Sequence, residues 1–339
     1  NNDAFDDLIV SSRLVDSSSA TNNHCPSTNN NCGGYAVVFG QALVENEIHV
    51  SCEADETFYG KEGNERLGYD VAALGDVNND GLIDLYLTSN QNQNKLFLNL
   101  GNFKFKDITE SAGVGGEKAW STGVTMVDIN ADGFLDIYVC NSGDIKGDNK
   151  QNELFINNGD LSFTESAEQY NLDDRGYSTH ASFFDYDKDG DLDAYMLNNS
   201  YQSIASFKLT RNERPNRDLL GGDKLMENRD GKFFDVSKKA NIYGSIIGFG
   251  LGVTVGDVNN DGWEDIFVCN DFFERDYLYI NQKDGTFNEE LTSQMKSISG
   301  ASMGADLADI DNNGTNDIFV TEMLPSDYKR LKTVTTFED

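Results

Sequence analysis

Proline and histidine are nearly missing from this chain: three of each occur in 339 residues. His24, His49 and His180 lie far apart and match no triad or metal-binding spacing, so an imidazole-based active site has no footing here. Basic residues are scarce as well. With 26 Lys and Arg against 58 Asp and Glu the formal charge is −32, which argues against nucleic acid or an anionic membrane surface as partner, since both select a basic face. No apolar run approaches the roughly 18 residues of a membrane span, and no basic-plus-apolar leader opens the chain, so it reads as a soluble, processed segment without direct membrane insertion.

Cysteines are few and odd in number, at five. Cys140 and Cys269 end the similar stretches "YVC" and "FVC" and read as small buried residues. Cys25, Cys32 and Cys52 lie together near the start; a disulfide among them would fit an oxidising compartment, but spacing leaves the pairing open.

What the chain has in quantity is acid, glycine and repetition. "GDVNNDGLIDLYL" (75–87) returns as "GDVNNDGWEDIFV" (256–268). In the first copy Asp76, Asn78, Asp80 and Asp84 place oxygen side chains at positions 1, 3, 5 and 9 of a nine-residue loop. Ca²⁺ takes roughly 6–8 oxygens at about 2.3–2.6 Å, and alternate side chains plus one backbone carbonyl, that of Leu82 at position 7, can supply them. Gly81 at position 6 makes the tight turn that a Cβ would obstruct.

The pattern recurs at Asp128, Asn130, Asp132, Phe134 and Asp136; at Asp185, Asp187, Asp189, Asp191 and Asp193; at Asp257, Asn259, Asp261, Trp263 and Asp265; and at Asp309, Asp311, Asn313, Thr315 and Asp317. In each, position 7 contributes its carbonyl. Five complete loops imply about five Ca²⁺ ions. A sixth, partial loop is expected at the start, where Asn1, Asp3 and Asp7 match positions 3, 5 and 9 and Ala4 replaces the glycine. An EF-hand is excluded, because its position 12 is a bidentate Glu, whereas Leu87, Val139, Met196, Val268 and Val320 stand there. Each loop runs into a β-prone apolar stretch, so it joins strands.

The first loop aspartates, at 76, 128, 185, 257 and 309, recur at 52 to 72 residues, the period of arrays and propellers. Between them lie hairpin signatures such as "KLFLNLGNFKF" (95–105) and "ELFINNGDLSF" (153–163). One unit is therefore strand, acidic loop, strand, connector, strand, tight turn, strand. That is an all-β, four-stranded propeller blade. Residues 1–339 read as a single β-propeller or most of one, with 17–31 an Asn/Ser-rich surface loop.

These loops and hairpins resemble FG-GAP/VCBS repeats, which build the calcium-bearing β-propeller of integrin α-subunits and of many secreted bacterial proteins. Residues 302–330 are similar to the propeller region of cartilage-acidic-protein-like (ASPIC/UnbV-type) proteins. The first blade, with "GGYAVVFGQ" (33–41), looks more like the integrin version. The resemblance implies seven blades; six would close if the chain is complete as it stands. It also implies an extracellular or cell-surface location.

In such a blade the acidic loops share one face, and a protein or glycan ligand is expected on the opposite one. There, eight residues ahead of the loop aspartates, stand Trp120, Tyr177 and Phe249, with Gly68 and Ala301 in the other copies. They serve either inter-blade packing or stacking on a ligand. The longest connector, 197–222, concentrates Lys208, Arg211, Arg214 and Arg217, which read either as a solvated loop or as a contact for an acidic partner or polysaccharide. Asn198 and Asn313 begin N-x-S/T sequons. Function is thus expected to be non-enzymatic: an adhesion or protein-interaction module, with a carbohydrate-binding or glycan-processing propeller and a structural subunit of an extracellular fibre as alternatives. Further domains or subunits are expected partners.

Overall fold

The apolar run after each acidic loop folds as a buried central strand. A computed structural model of the chain describes the backbone of residues 8–15, 32–38, 56–59 and 67–322, apart from 91, 103, 119, 144–148, 203–211 and 272–273, and side chains from residue 75 onward. The partial loop at Asn1, Asp3 and Asp7, the 17–31 stretch, Cys25, Cys52, Lys208 and Arg211 lie outside the described residues, as does the side chain of Cys32.

The strands are β1 (Leu8–Val15), β2 (Cys32–Val38), β3 (Glu56–Tyr59), β4 (Leu67–Gly75), β5 (Asp84–Ser89), β6 (Lys95–Asn99), β7 (Phe105–Asp107), β8 (Ser121–Val127), β9 (Asp136–Asn141), β10 (Glu153–Asn157) and β11 (Phe163–Glu165). They continue as β12 (Ser178–Phe184), β13 (Asp193–Asn198), β14 (Lys224–Arg229), β15 (Lys232–Asp235), β16 (Gly250–Gly256), β17 (Asp265–Asn270), β18 (Tyr277–Asn281), β19 (Phe287–Glu289), β20 (Ser302–Ala308) and β21 (Asp317–Glu322). Among the described residues they form four four-stranded antiparallel meanders, β4–β7, β8–β11, β12–β15 and β16–β19, with a three-stranded sheet β1–β3 and the pair β20–β21. The predicted blade is therefore present. Each acidic loop joins the first strand to the second, and the tight turn joins the third to the fourth at the same end of the sheet.

Position in the sheet explains composition. All six residues of β5, β9, β13 and β17 are buried, as expected for strands covered on both faces. The fourth strands are short edges of three or four residues, mostly exposed apart from one aromatic such as Phe163 or Phe233, and so offer little surface for unwanted pairing. Asp230 and Gly231, at φ 56° and 78°, make the two-residue turn between β14 and β15 that "DG" favours. The sequence did not announce three single-turn helices that follow fourth strands: α1 (Thr109–Ala112), α2 (Ala167–Tyr170) and α3 (Leu291–Gln294).

Two compact units are distinguished, one of residues 1–139 and 153–166, the other of 140–152 and 167–339. The first packs Tyr86, Leu96, Ile137, Val139 and Phe155 in its core. The second packs Tyr195, Leu197, Leu225, Ile266, Val268, Tyr277 and Tyr279. Two buried tyrosines keep hydrogen bonds: Tyr86 donates to the Val114 carbonyl at 2.6 Å and Tyr195 to Asp223 at 2.9 Å. Cys140 and Cys269 are free and buried, and burial pushes the Cys269 thiol up to about 12, leaving it unreactive.

One asparagine per blade, at the end of the third strand, secures the loop end. The Asn157 amide group donates to the carbonyls of Val77 (2.8 Å) and Leu135 (3.1 Å), the first belonging to the neighbouring loop, and its oxygen accepts from Gly159. Asn157 is 3% exposed, so its removal strands these groups away from water. Asn157→Ala is expected to cost about 2–4 kcal/mol in denaturant unfolding, while the exposed Asn158→Ala stays within roughly 0.5 kcal/mol.

Candidate metal centre

Five nonapeptide loops share one backbone. Position 4, held by Asn79, Ala131, Lys188, Asn260 and Asn312, has φ between 57° and 61°, and the position-6 glycines have φ between 82° and 100°. A Cβ built on Gly81, Gly133, Gly190 or Gly314 would meet nothing within 4 Å. Steric obstruction, inferred from the sequence, is thus not the reason for glycine there; the left-handed φ is.

The carboxylates are held by backbone N–H groups in the same way each time. The position-1 aspartate accepts from positions 5 and 6: Asp76 from Asp80 (3.0 Å) and Gly81 (2.7 Å), Asp128 from Asp132 and Gly133, Asp309 from Asn313 and Gly314. Position 5 accepts from the amide of position 7, as Asp80 does from Leu82, Asp132 from Phe134, Asp261 from Trp263 and Asn313 from Thr315. Position 9 is the root. Asp84, Asp136, Asp193 and Asp265 are 0–1% exposed, and each accepts from the amide of position 2 and from an amide at the end of the third strand.

Oxygens converge in these loops. Asp185, Asp187 and Asp193 bring one carboxylate oxygen each within 4.8 Å of one another, as do Asp309, Asp311 and Asp317. In the other three loops position 3 is an asparagine, Asn78, Asn130 or Asn259, whose side chain donates to the position-5 aspartate at 2.9–3.1 Å. Buried Oδ1 atoms of Asn78, Asp187 and Asp191 have no donor, which is the unmet demand that a hard cation satisfies. Asp191 was expected to act through its carbonyl, yet its side chain also faces the acids of its loop. Burial, and then Asp189, Asp187 and Asp185, push it up to about 6.

Burial raises the root carboxylates, although backbone N–H groups pull the other way: Asp136 to about 6 and Asp193 to about 8, with Asp84 and Asp265 raised in the same sense. Loop 257–265 carries its own cations. The Lys283 ammonium pairs with Asp261 at 3.2 Å, and Lys188, from the preceding loop, donates to the Gly262 carbonyl and sits 4.7 Å from the Trp263 ring centre. Neighbouring loops are hooked together through position 4, since Asn79 donates to the Gly133 carbonyl and Asn260 to that of Gly314.

The ligand-face residues are placed differently from one another. Trp120, Tyr177 and Phe249 each immediately precede a first strand, at the sheet end remote from the loop. Trp120 is 38% exposed with φ 65°; Tyr177 is buried between Tyr201 and the Lys150 ammonium; Phe249 is half-buried. Arg214 is buried against Glu274 at 2.6 Å, and Arg217 donates to the carbonyls of Ile242 and Asp223. These two are not a loose solvated run. The Asn198 side chain is buried, donates to the Gly222 carbonyl and accepts from Ser178, so its sequon is closed to glycosylation in the fold.

The FG-GAP-like repeat profile matches residues 76–139, 142–196 and 257–320. The chain belongs to the FG-GAP-like repeat family. It is similar to cartilage acidic protein 1 of Xenopus tropicalis, 27% identical over 202 residues, which cover 58% of this chain and 28% of that protein. It is also similar to integrin alpha-3 of Mus musculus, 29% identical over 119 residues, covering 31% of this chain and 11% of that protein. The chain thus matches about a quarter and about a tenth of the length of these relatives. A solved Agrocybe aegerita lectin overlays 84% of this chain and 65% of its own with a TM-score of 0.37 and 16% identity, too distant to carry an argument.

A root carboxylate raised by the fold binds its proton more tightly folded than unfolded, so its contribution is present below the ordinary Asp value of about 3.9 and is lost as pH rises through the folded value. In chelator, the chain is therefore expected to melt at a higher temperature at pH 5 than at pH 8.5, with the loss extending to about pH 8 for Asp193. Excess Ca²⁺ is expected to reverse the slope, because protons then compete with metal. Circular-dichroism melts across pH, with and without metal, check both signs.

Proposed function

We propose that the chain is a calcium-braced β-propeller, or most of one, that acts outside the cell as an adhesion or protein-interaction module. The observation that carries the metal assignment is the buried, donorless Oδ1 of Asn78 and Asp187 at position 3, set among carboxylates that are already oriented by backbone N–H groups. Each ion takes the oxygens of positions 1, 3, 5 and 9 and the position-7 carbonyl: Asp76, Asn78, Asp80, Leu82 and Asp84 in the first loop, and their equivalents in the other four. Bound Ca²⁺ braces a hairpin and leaves the sheet end opposite the loops for a partner. Binding, with no catalytic step, is the role. Family membership and the similarity to an integrin and to cartilage acidic protein 1 support the extracellular setting.

A second reading, carbohydrate binding, is favoured by Trp120, a bulky residue held at a φ that side chains rarely adopt and left partly exposed. Glycan retention that is lost in Trp120→Ala would select it.

Metal analysis after dialysis is expected to give about five Ca²⁺ per chain, and fewer than about three would overturn the assignment. Each site filled at a hundredfold excess over its Kd adds about 2.7 kcal/mol. EDTA should therefore lower the melting temperature steeply, and Mg²⁺, which prefers a smaller octahedral shell, should restore little of it. Within loop 185–193, Asp189→Ala is expected to weaken calcium binding more than Asp191→Ala. In EDTA, Asp191→Ala is expected to raise the melting temperature, since it removes a half-buried like charge. Calorimetric titration and melts of both variants decide this, and equal effects of the two substitutions would show that the loop does not hold calcium in this way.

A further inference from the structure

An open cleft of about 600 Å³ lies away from the loops, with Arg214, Arg217, Lys238, Asn241, Tyr243 and Asn288 in its walls. It is lined by residues 214–217 ahead of β14, by the connector between β15 and β16, and by the edge strand β19. Its electrostatics are unusual for a chain of charge −32. Two ion pairs at the wall cancel internally: Arg214 with Glu274 at 2.6 Å, and Arg275 with Glu289 through two bonds of 2.9 and 2.5 Å. Arg217, with the buried Asp223 behind it, and the exposed Lys238 are the remaining cations of the opening.

Arg217 is exposed and yet fixed in place. Its guanidinium donates to the carbonyls of Ile242 (3.0 Å) and Asp223 (2.7 Å), and its backbone pairs with Ser245. Gly244 makes this possible, because a Cβ there would fall 2.5 Å from Arg217 Cζ. Those bonds use two of the five N–H donors and go to carbonyls; the buried Asp223 carboxylate lies within electrostatic reach behind the guanidinium, and the remaining N–H donors stay oriented for an anion. Beside it, the Tyr243 ring is half-buried and braced at 5.4 Å by Tyr277 and at 6.1 Å by Tyr279, while its own N–H donates to the Tyr279 hydroxyl. A fixed guanidinium, an exposed ammonium, a braced aromatic wall and two amide side chains in one cleft match a ligand with a carboxylate, an apolar sugar face and several hydroxyls.

We propose that this cleft binds an acidic sugar, a uronate residue of a glycan, with its carboxylate on Arg217 and Lys238, its ring against Tyr243 and its hydroxyls on Asn241 and Asn288. The cleft shares no residue with the acidic loops, so this assignment and the calcium assignment stand or fall separately. A small inorganic anion would leave the aromatic wall and the amides unused. An acidic peptide is the main competitor, and the test separates it.

The experiment is calorimetric titration of the full chain, in Ca²⁺, with a galacturonic acid trisaccharide, its neutral galactose counterpart, inorganic sulfate and a hexaglutamate peptide. The uronate is expected to bind at least about tenfold more tightly than each of the other three. Lys238→Gln and Asn288→Ala are expected to weaken it about five- to tenfold while the melting temperature holds, and Arg217→Lys to weaken it further by removing the planar donor set. Lys238 is a surface side chain, so its variant tests binding even if Arg217→Lys fails to fold. Equal affinity for the neutral and acidic sugars, no uronate heat from the folded chain at millimolar concentration, tighter binding of sulfate or peptide, or an unchanged affinity in Lys238→Gln would each overturn the proposal.

Discussion

A carboxylate buried at the root of four of the five nonapeptide loops is the constraint on which the rest of the blade depends. Asp84, Asp136, Asp193 and Asp265 stand at the first residue of the central strand, closed off from water, and spend their oxygens on two backbone amides each. One amide belongs to the loop and the other to the third strand. A single side chain thus ties three strands at one end of the sheet, at the cost of burying a charge that only N–H dipoles compensate within the protein. The raised proton affinity of these groups is the mark of that cost, and a cation beside them relieves it.

Around this root the five loops are built alike but charged differently. Loop 185–193 carries an acid at every odd position and leaves buried oxygens of Asp187 and Asp191 without donors, whereas loop 257–265 has Lys283 and Lys188 at its carboxylate and carbonyl oxygens. The position-4 side chains pass from one loop to a carbonyl of the next, so Asn79 and Asn260 connect neighbours within each compact unit. Ala131 at the same position offers no donor. Identical backbone therefore does not mean an identical electrostatic setting, which differs from loop to loop by whole charges.

Much of this was legible in the residues. The five-position ladder placed every described acidic loop between a first and a second strand, and the unbroken "DIYVC" and "DIFVC" runs marked the strands covered on both faces. What stayed hidden had physical reasons. Single-turn helices such as Thr109–Ala112 are too short for any periodicity to build up. The role of Asn157 and its equivalents depends on hydrogen bonds to carbonyls up to 95 residues away, which local spacing does not show. Arg214 and Arg217 looked like a solvated basic run because their partners, Glu274 and the Ile242 carbonyl, lie 60 and 25 residues downstream. The demand for glycine in the loop was legible, but its cause is φ, with open space where its side chain would be.

The tie between root aspartate and third strand bridges 15, 21, 35 and 16 residues in the four complete blades. Its geometry holds whatever length of chain runs between its two ends, so the connector from second to third strand is a place where the repeat can absorb inserted sequence without disturbing its register. The longest of these insertions, in the β12–β15 sheet, is the one that carries Arg214 and Arg217 to the cleft. That division keeps the acidic-loop end of each sheet under one fixed geometry while the opposite end can take connectors of any length, with the scaffold left intact.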